Sequence, residues 1–134
     1  MSGVDYEARV RKMWAAFQRD GIAGMRPYVD DDVEFSPTED GRTIRGYEAL
    51  AEYWRDHEAR QSVVPHAWEQ HGDCVLVHGS LRMFRDGGFV DTQPSWVYFF
   101  DDGKLSRATA YASREEALAA IYEHCGGQVG GSAR

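Results

Sequence analysis

Cysteine is scarce in this chain: Cys74 and Cys125 are the two among 134 residues. They make no C-x-x-C pair, and two isolated thiols build no disulfide framework, so both read as free. Long hydrophobic runs are also missing. The longest unbroken one is Trp96–Phe100, far short of the roughly 20 residues that span a bilayer. No basic start leads into an apolar stretch, which predicts no secretory signal, no membrane partner and a cytoplasmic location. Positive charge is in deficit, with 15 Lys and Arg against 22 Asp and Glu and a net charge of −7. Acidic clusters stand at Asp30-Asp31-Asp32, Asp101-Asp102 and Glu115-Glu116. Duplex nucleic acid, with about one negative charge per 1.7 Å, is repelled by such a surface, and no basic stripe offsets it. His57, His66, His71, His78 and His124 show no paired ligand spacing, which argues against a metal. Gly87-Gly88 and Gly126-Gly127 read as turn and tail glycines rather than phosphate loops, and no nucleophile-elbow motif occurs. No cofactor is expected.

What remains is 43% apolar and 28% charged, ordinary for one soluble domain with one core. Residues 1–125 are expected to form that domain, with the glycine-rich segment 126–134 as a disordered tail. Val10, Met13, Trp14 and Phe17 recur at helical spacing, and Asp20-Gly21 ends that helix. Ile22, Met25 and Val29 suggest a second short helix despite Pro27. Asp30–Asp32 reads as a polar turn, Val33-Glu34-Phe35 as a short strand and Pro37–Arg45 as a loop. A third helix runs from Gly46 to about Arg60, with Tyr47, Leu50, Ala51 and Trp54 on one face.

The period then changes. Val63–Gln70, Cys74–Phe84, Phe89–Phe100 and Lys104–Ala112 are rich in β-branched and aromatic residues, separated by turn-forming His71-Gly72-Asp73, Asp86-Gly87-Gly88 and Asp102-Gly103. Ser113-x-x-Glu116 is a capping box opening a last helix. Three helices, a four-stranded antiparallel meander and a closing helix predict an α+β domain. Both faces of Trp96–Phe100 are apolar, so both need cover. In Val75–Phe84 one face carries Val75, Val77, Gly79, Leu81 and Met83, the other Leu76, His78, Ser80 and Arg82. Periodicity alone leaves open whether the polar face lines a concave site or meets solvent.

This order of elements resembles the nuclear transport factor 2-like superfamily, in particular its SnoaL-like branch. The markers are Met13-Trp14-Ala15-Ala16-Phe17, Tyr28–Phe35, Arg45-Gly46-Tyr47-Glu48-Ala49-Leu50, Gly72–Val77, Phe100–Leu105, and Tyr111 followed by Arg114–Leu118. The resemblance implies a curved sheet wrapped around N-terminal helices, a cone-shaped cavity, and often a homodimer through the outer sheet face. Likeness to steroid isomerases through Pro94-Ser95-Trp96 implies that Trp96 and Tyr98 face the cavity, with Val97 and Phe99 outward. The same comparison turns Leu76, His78, Ser80 and Arg82 inward.

The departures limit what carries over. Ser36 stands at the isomerase carboxylate base, and Trp96 and Met13 replace the two oxyanion donors. The limonene-epoxide-hydrolase triad is missing, its strand pair reading His78-x-Ser80 and its further Asp reading Ala110. Ala110 and Ala112 occupy the region of the polyketide cyclases' late Asp. His78 and Arg82 are therefore the best catalytic pair available. An imidazole with an unperturbed pKa of about 6.5 exchanges protons at neutral pH, and a guanidinium can stabilise a developing oxyanion. Arg82 would need a carboxylate partner, with Glu34 or Glu52 as candidates. Phe17, Trp54, Ser80, Trp96 and Tyr98 are the candidate substrate contacts, and Trp14 and Tyr53 further aromatic wall. The expected ligand is small, apolar and oxygenated or aromatic. Three functions follow: an acid–base isomerase, lyase or cyclase; a non-catalytic carrier or sensor; or a dimeric interaction module.

Overall fold

The computed structural model describes residues 5–37, 43–57 and 61–124. Cys125 and the segment 126–134 lie outside the described residues, as do 38–42 of the expected loop and 58–60 at the end of the expected third helix. Helix α1 (Tyr6–Asp20) begins where Asp5 accepts a hydrogen bond from the Ala8 N–H at 3.0 Å. It ends at Gly21, whose φ of +73° lets its N–H turn back to the Phe17 carbonyl. The expected second short helix is present as a 3-10 helix, Gly21–Tyr28, and Val29 belongs to the strand that follows. Pro27 has no N–H to donate and lies at the C-terminal end of this element, where the chain passes into a strand at Val29.

Strand β1 (Val29–Ser36) includes Asp30–Asp32, which the sequence reading made a turn. Its register against a later strand slips between Val29 and Glu34, and the Asp32 N–H bonds the Asp30 carboxylate at 2.9 Å. A local bulge thus holds these acids toward solvent while the chain stays extended. After the two-residue β2 (Ile44–Arg45) comes α2 (Tyr47–His57), burying Leu50, Ala51 and Tyr53.

The remaining strands are β3 (Gln61–His71), β4 (Cys74–Arg85), β5 (Gly88–Thr92), β6 (Ser95–Asp101) and β7 (Lys104–Tyr111). The expected single strand Phe89–Phe100 is two, because Gln93-Pro94 interrupts it. Among the described residues the sheet has seven strands, since the expected short strand at Val33–Phe35 joins the meander, a further β2 appears and one meander strand is split. The order is β2-β1-β7-β6-β4-β3, with β5 on β4. All pairs are antiparallel except β1 with β7. Long β4 pairs with β6 through Cys74–His78 and with β5 through Leu81–Arg85, so its second half leaves the body as an arm. At the departure, Gly79 lies so close to the Val64 carbonyl that any Cβ would collide with it.

Two apolar clusters flank the sheet. On the concave side α1, α2 and the 3-10 helix pack on Val75, Val77, Trp96, Tyr98, Phe100 and Leu105. On the convex side α3 (Arg114–His124) lays Ala117 and Ile121 over Cys74, Leu76, Val97 and Phe99. The helix starts at the expected cap, where Ser113 Oγ accepts from the Glu116 N–H at 3.2 Å. Val97 and Phe99 are therefore covered within one chain, at 0% and 4% exposure. The cover expected of a second subunit comes from α3. Among the described residues no helix is long and apolar enough to cross a membrane.

Candidate ligand cavity

The sheet's concave face and the two helices do not close completely. Between them lies a cavity floored by Trp96 and Tyr98 of β6 and Leu105 and Ala108 of β7. Its roof is Met13, Trp14 and Phe17 of α1 with Leu50 and Trp54 of α2, and Val33 and Phe35 of β1 close one side. The space measures about 550 Å³ with its open mouth. It is a narrow slot between rings. Trp14 meets Trp96 edge-on at 5.5 Å between ring centres, and Phe17 meets Trp54 at 5.2 Å. A second space, about 340 Å³ in all, shares Phe35, Trp54, Val63 and Trp96 with the first and reaches Tyr53, Gln61 and Leu81.

Charge is absent from these walls among the described residues. The inner cavity has one ionisable side chain, Tyr98. Burial pushes its phenol well above the ordinary tyrosine value, and the nearby Trp14 indole only partly opposes this. It stays protonated at neutral pH. The Trp14 Nε1 is buried and has no hydrogen-bond partner.

Four expected contacts, Phe17, Trp54, Trp96 and Tyr98, stand on the cavity wall. His78, Ser80 and Arg82 do not. Val77 pairs directly with Trp96 and Val75 with Tyr98. Directly paired residues of antiparallel strands share a face, so the valines face the helices and the polar alternates face the other way. His78 pairs with Ser95 on the convex side, its Nδ1 2.9 Å from the buried Ser95 hydroxyl. Ser80 Oγ lies 2.7 Å from His66 Nε2. Arg82 makes a bidentate pair with Asp91 at 2.7 and 3.1 Å, both side chains more than half exposed. Neither suggested carboxylate serves it, and Glu34 pairs with Arg45 at 2.8 Å. The inward placement of His78, Ser80 and Arg82 is thus corrected, and the three are not brought into one constellation.

Sequence reasoning missed Phe35, Leu50, Val63 and Leu105 as cavity wall. The available signal was in β4 itself, where the fully apolar alternates are the face that a core would claim.

A curved mixed sheet wrapped around N-terminal helices with an apolar slot between them defines the nuclear transport factor 2-like class of fold. The chain belongs to the SnoaL-like domain family, whose pattern matches residues 10–108. Solved structures agree on the fold. A nuclear transport factor 2-like protein of unknown function from Burkholderia pseudomallei is 20% identical, with 82% of this chain and 92% of that one covered at a TM-score of 0.67. TerC, co-crystallised with polyporic acid, is 20% identical, with 85% and 92% covered at 0.66. A protein from Pseudomonas putida, provisionally described as a polyketide cyclase, is 15% identical, with 84% and 95% covered at 0.68. No curated protein sequence matches the chain.

Proposed function

We propose that the chain binds a small, uncharged, largely apolar ring-bearing molecule in the cavity between α1, α2 and the sheet. The observation that carries this is the wall: aromatic and aliphatic on every side, without a charged group among the described residues. Such lining suits an apolar ligand, and a charged one would lose its hydration without compensation. The narrowness requires the rings of Phe17, Trp54 and Trp96 to part on binding. Co-crystallisation of the similar TerC with a small molecule supports the reading.

A carrier or sensor fits this wall better than an acid–base enzyme built on His78 and Arg82, which face away. A second reading, an isomerase, lyase or cyclase, has one specific observation in its favour: Tyr98, a protonated phenol on the cavity floor that could donate a proton. Native mass spectrometry of the protein purified from cells tests the first reading by the mass of a retained molecule. Isothermal titration with indane, a flat bicyclic hydrocarbon, should give saturable 1:1 binding, lost in Ala108→Trp with circular dichroism unchanged. No retained molecule and no saturable binding would overturn it. Turnover of a bound ketone, lost in Tyr98→Phe, would move the assignment to the second reading.

A further inference from the structure

Within an otherwise apolar slot, one buried donor has nothing to bond. Trp14 is 7% exposed, and among the described residues its Nε1 is the one buried side-chain nitrogen or oxygen without a hydrogen-bond partner. Buried polar groups are nearly always paired, and an orphan asks for an explanation. Turning the ring away would not satisfy it cheaply. The indole is wedged edge-on among Phe17, Trp68 and Trp96, with ring centres 6.2, 6.3 and 5.5 Å away. Its neighbour on the cavity floor is Tyr98, close enough for the indole N–H to favour the ionised phenol by hydrogen bonding. Yet the pair falls short of full hydrogen-bond geometry and leaves the donor with room for a better acceptor.

We propose that the cavity selects a neutral ligand bearing an acceptor oxygen, such as a ketone carbonyl, which the Trp14 indole N–H binds at the end of the slot shared with Tyr98. The proposal rests on the cavity reading and adds the ligand's chemical class. An indole N–H donates and never accepts, so the group that meets it must be an acceptor. A carboxylate would also accept, but among the described residues no cation stands on the wall to balance it. Among the side chains lining the slot, a trapped water would find Trp14 and Tyr98, at the lower limit of the two to four polar partners such waters use. Tyr98, protonated at neutral pH because it is buried, can add a second donor to the same oxygen.

Matched probes separate this idea from the cavity reading itself. Indane and 1-indanone have nearly the same shape, and only the second carries a carbonyl. Isothermal titration should show 1-indanone binding about tenfold more tightly, the worth of one hydrogen bond to a donor otherwise left unpaired. Trp14→Phe should bring the two affinities closer together, whatever the lost ring area does to the affinity for indane itself, because only the ratio between the probes reads the indole N–H. In ¹⁵N-labelled protein the Trp14 indole N–H resonance should move downfield with 1-indanone and stay with indane, a readout that needs no variant should Trp14→Phe fold poorly. Equal affinity for the two probes, with the indole resonance unmoved, overturns the acceptor proposal and leaves the cavity reading standing. Binding of neither removes both.

Discussion

On one face of β6, Trp96 and Tyr98 look across a narrow slot at the aromatic side chains of α1 and α2. One residue along, Ser95, Val97 and Phe99 meet His78, Leu76 and α3. The same sheet is thus lined with uncharged rings on its concave side and carries a short apolar strip followed by polar pairs on its convex side. The convex strip ends where α3 ends its cover. Beyond it every polar side chain of β4 has a partner of its own: His78 with Ser95, Ser80 with His66, Arg82 with Asp91. Among the described residues the one buried side-chain orphan is Trp14, on the concave side. Paired polar groups hold a surface together, and an unpaired donor in an apolar slot is where a ligand gains most.

If both faces are true core near the body, truncation should cost alike on each. Leu105→Ala under the cavity and Leu76→Ala under α3 remove fully buried side chains, at 1% and 0% exposure. Each should lower unfolding free energy by about 2–5 kcal/mol in urea titrations. A near-zero loss for Leu76→Ala would show that α3 does not seal the convex side.

The arm breaks the symmetry between the faces. Phe84 and Phe89 pair edge-on at 5.5 Å yet are 49% and 66% exposed, beside the Arg82–Asp91 pair. We propose that a second copy of the chain covers this patch, its aromatic pair and its adjacent opposite charges being self-complementary. Sedimentation at micromolar concentration should report twice the chain mass, and Phe89→Asp should weaken the dimer by on the order of 2 kcal/mol. A wild-type monomer would sink the idea.

A gentler probe is His78→Ala. It strands the Ser95 hydroxyl, which is 0% exposed, and should cost about 1–2 kcal/mol. Indane affinity should be unchanged in this variant and in Arg82→Ala, since both side chains lie across the sheet. Loss of binding in either would return them to the site.

The smallest effect concerns pH. Arg114 on α3 forks onto Glu69 of β3 with both contacts at 2.7 Å, tying the convex helix to the sheet. That hydrogen bonding holds the Glu69 carboxyl below the ordinary glutamate range, against the opposing push of partial burial. A carboxyl lowered on folding stabilises the fold above its unfolded pKa and loses that contribution as pH falls through the folded one. Stability should therefore drop modestly below about pH 4.5, the ordinary value, and Glu69→Gln should flatten that part of the profile.

Much of this architecture was legible locally. The spacing of Val10, Met13, Trp14 and Phe17 marks α1, and the turns at Gly72, Gly87 and Gly103 have the positive φ angles their residues invite. What was not legible depended on partners distant in sequence. Whether His78 faces in or out is set by the register Val77↔Trp96, which no local window contains. Placing Trp96 inward already required Val77 inward, so the inward placement of His78 contradicted a cross-strand rule rather than a propensity. The split of β5 from β6 was signalled by Pro94, whose missing N–H cannot continue a ladder. Asp30–Asp32 misled because acids usually mark turns, whereas here a bulge keeps them extended.

The packing of Trp14 has an optical consequence. The chain holds four tryptophans; Trp14, Trp54 and Trp96 are cavity wall, and Trp68 stands 6.3 Å from Trp14. Trp14 lies within 6.3 Å of both Trp68 and Trp96, close enough for excitation to pass among these three indoles, so their emission is shared. A molecule wedged in the slot would alter the surroundings of Trp14, Trp54 and Trp96, the three that line it. The protein's ultraviolet emission is in effect a built-in gauge of whether its slot is occupied, readable without a label.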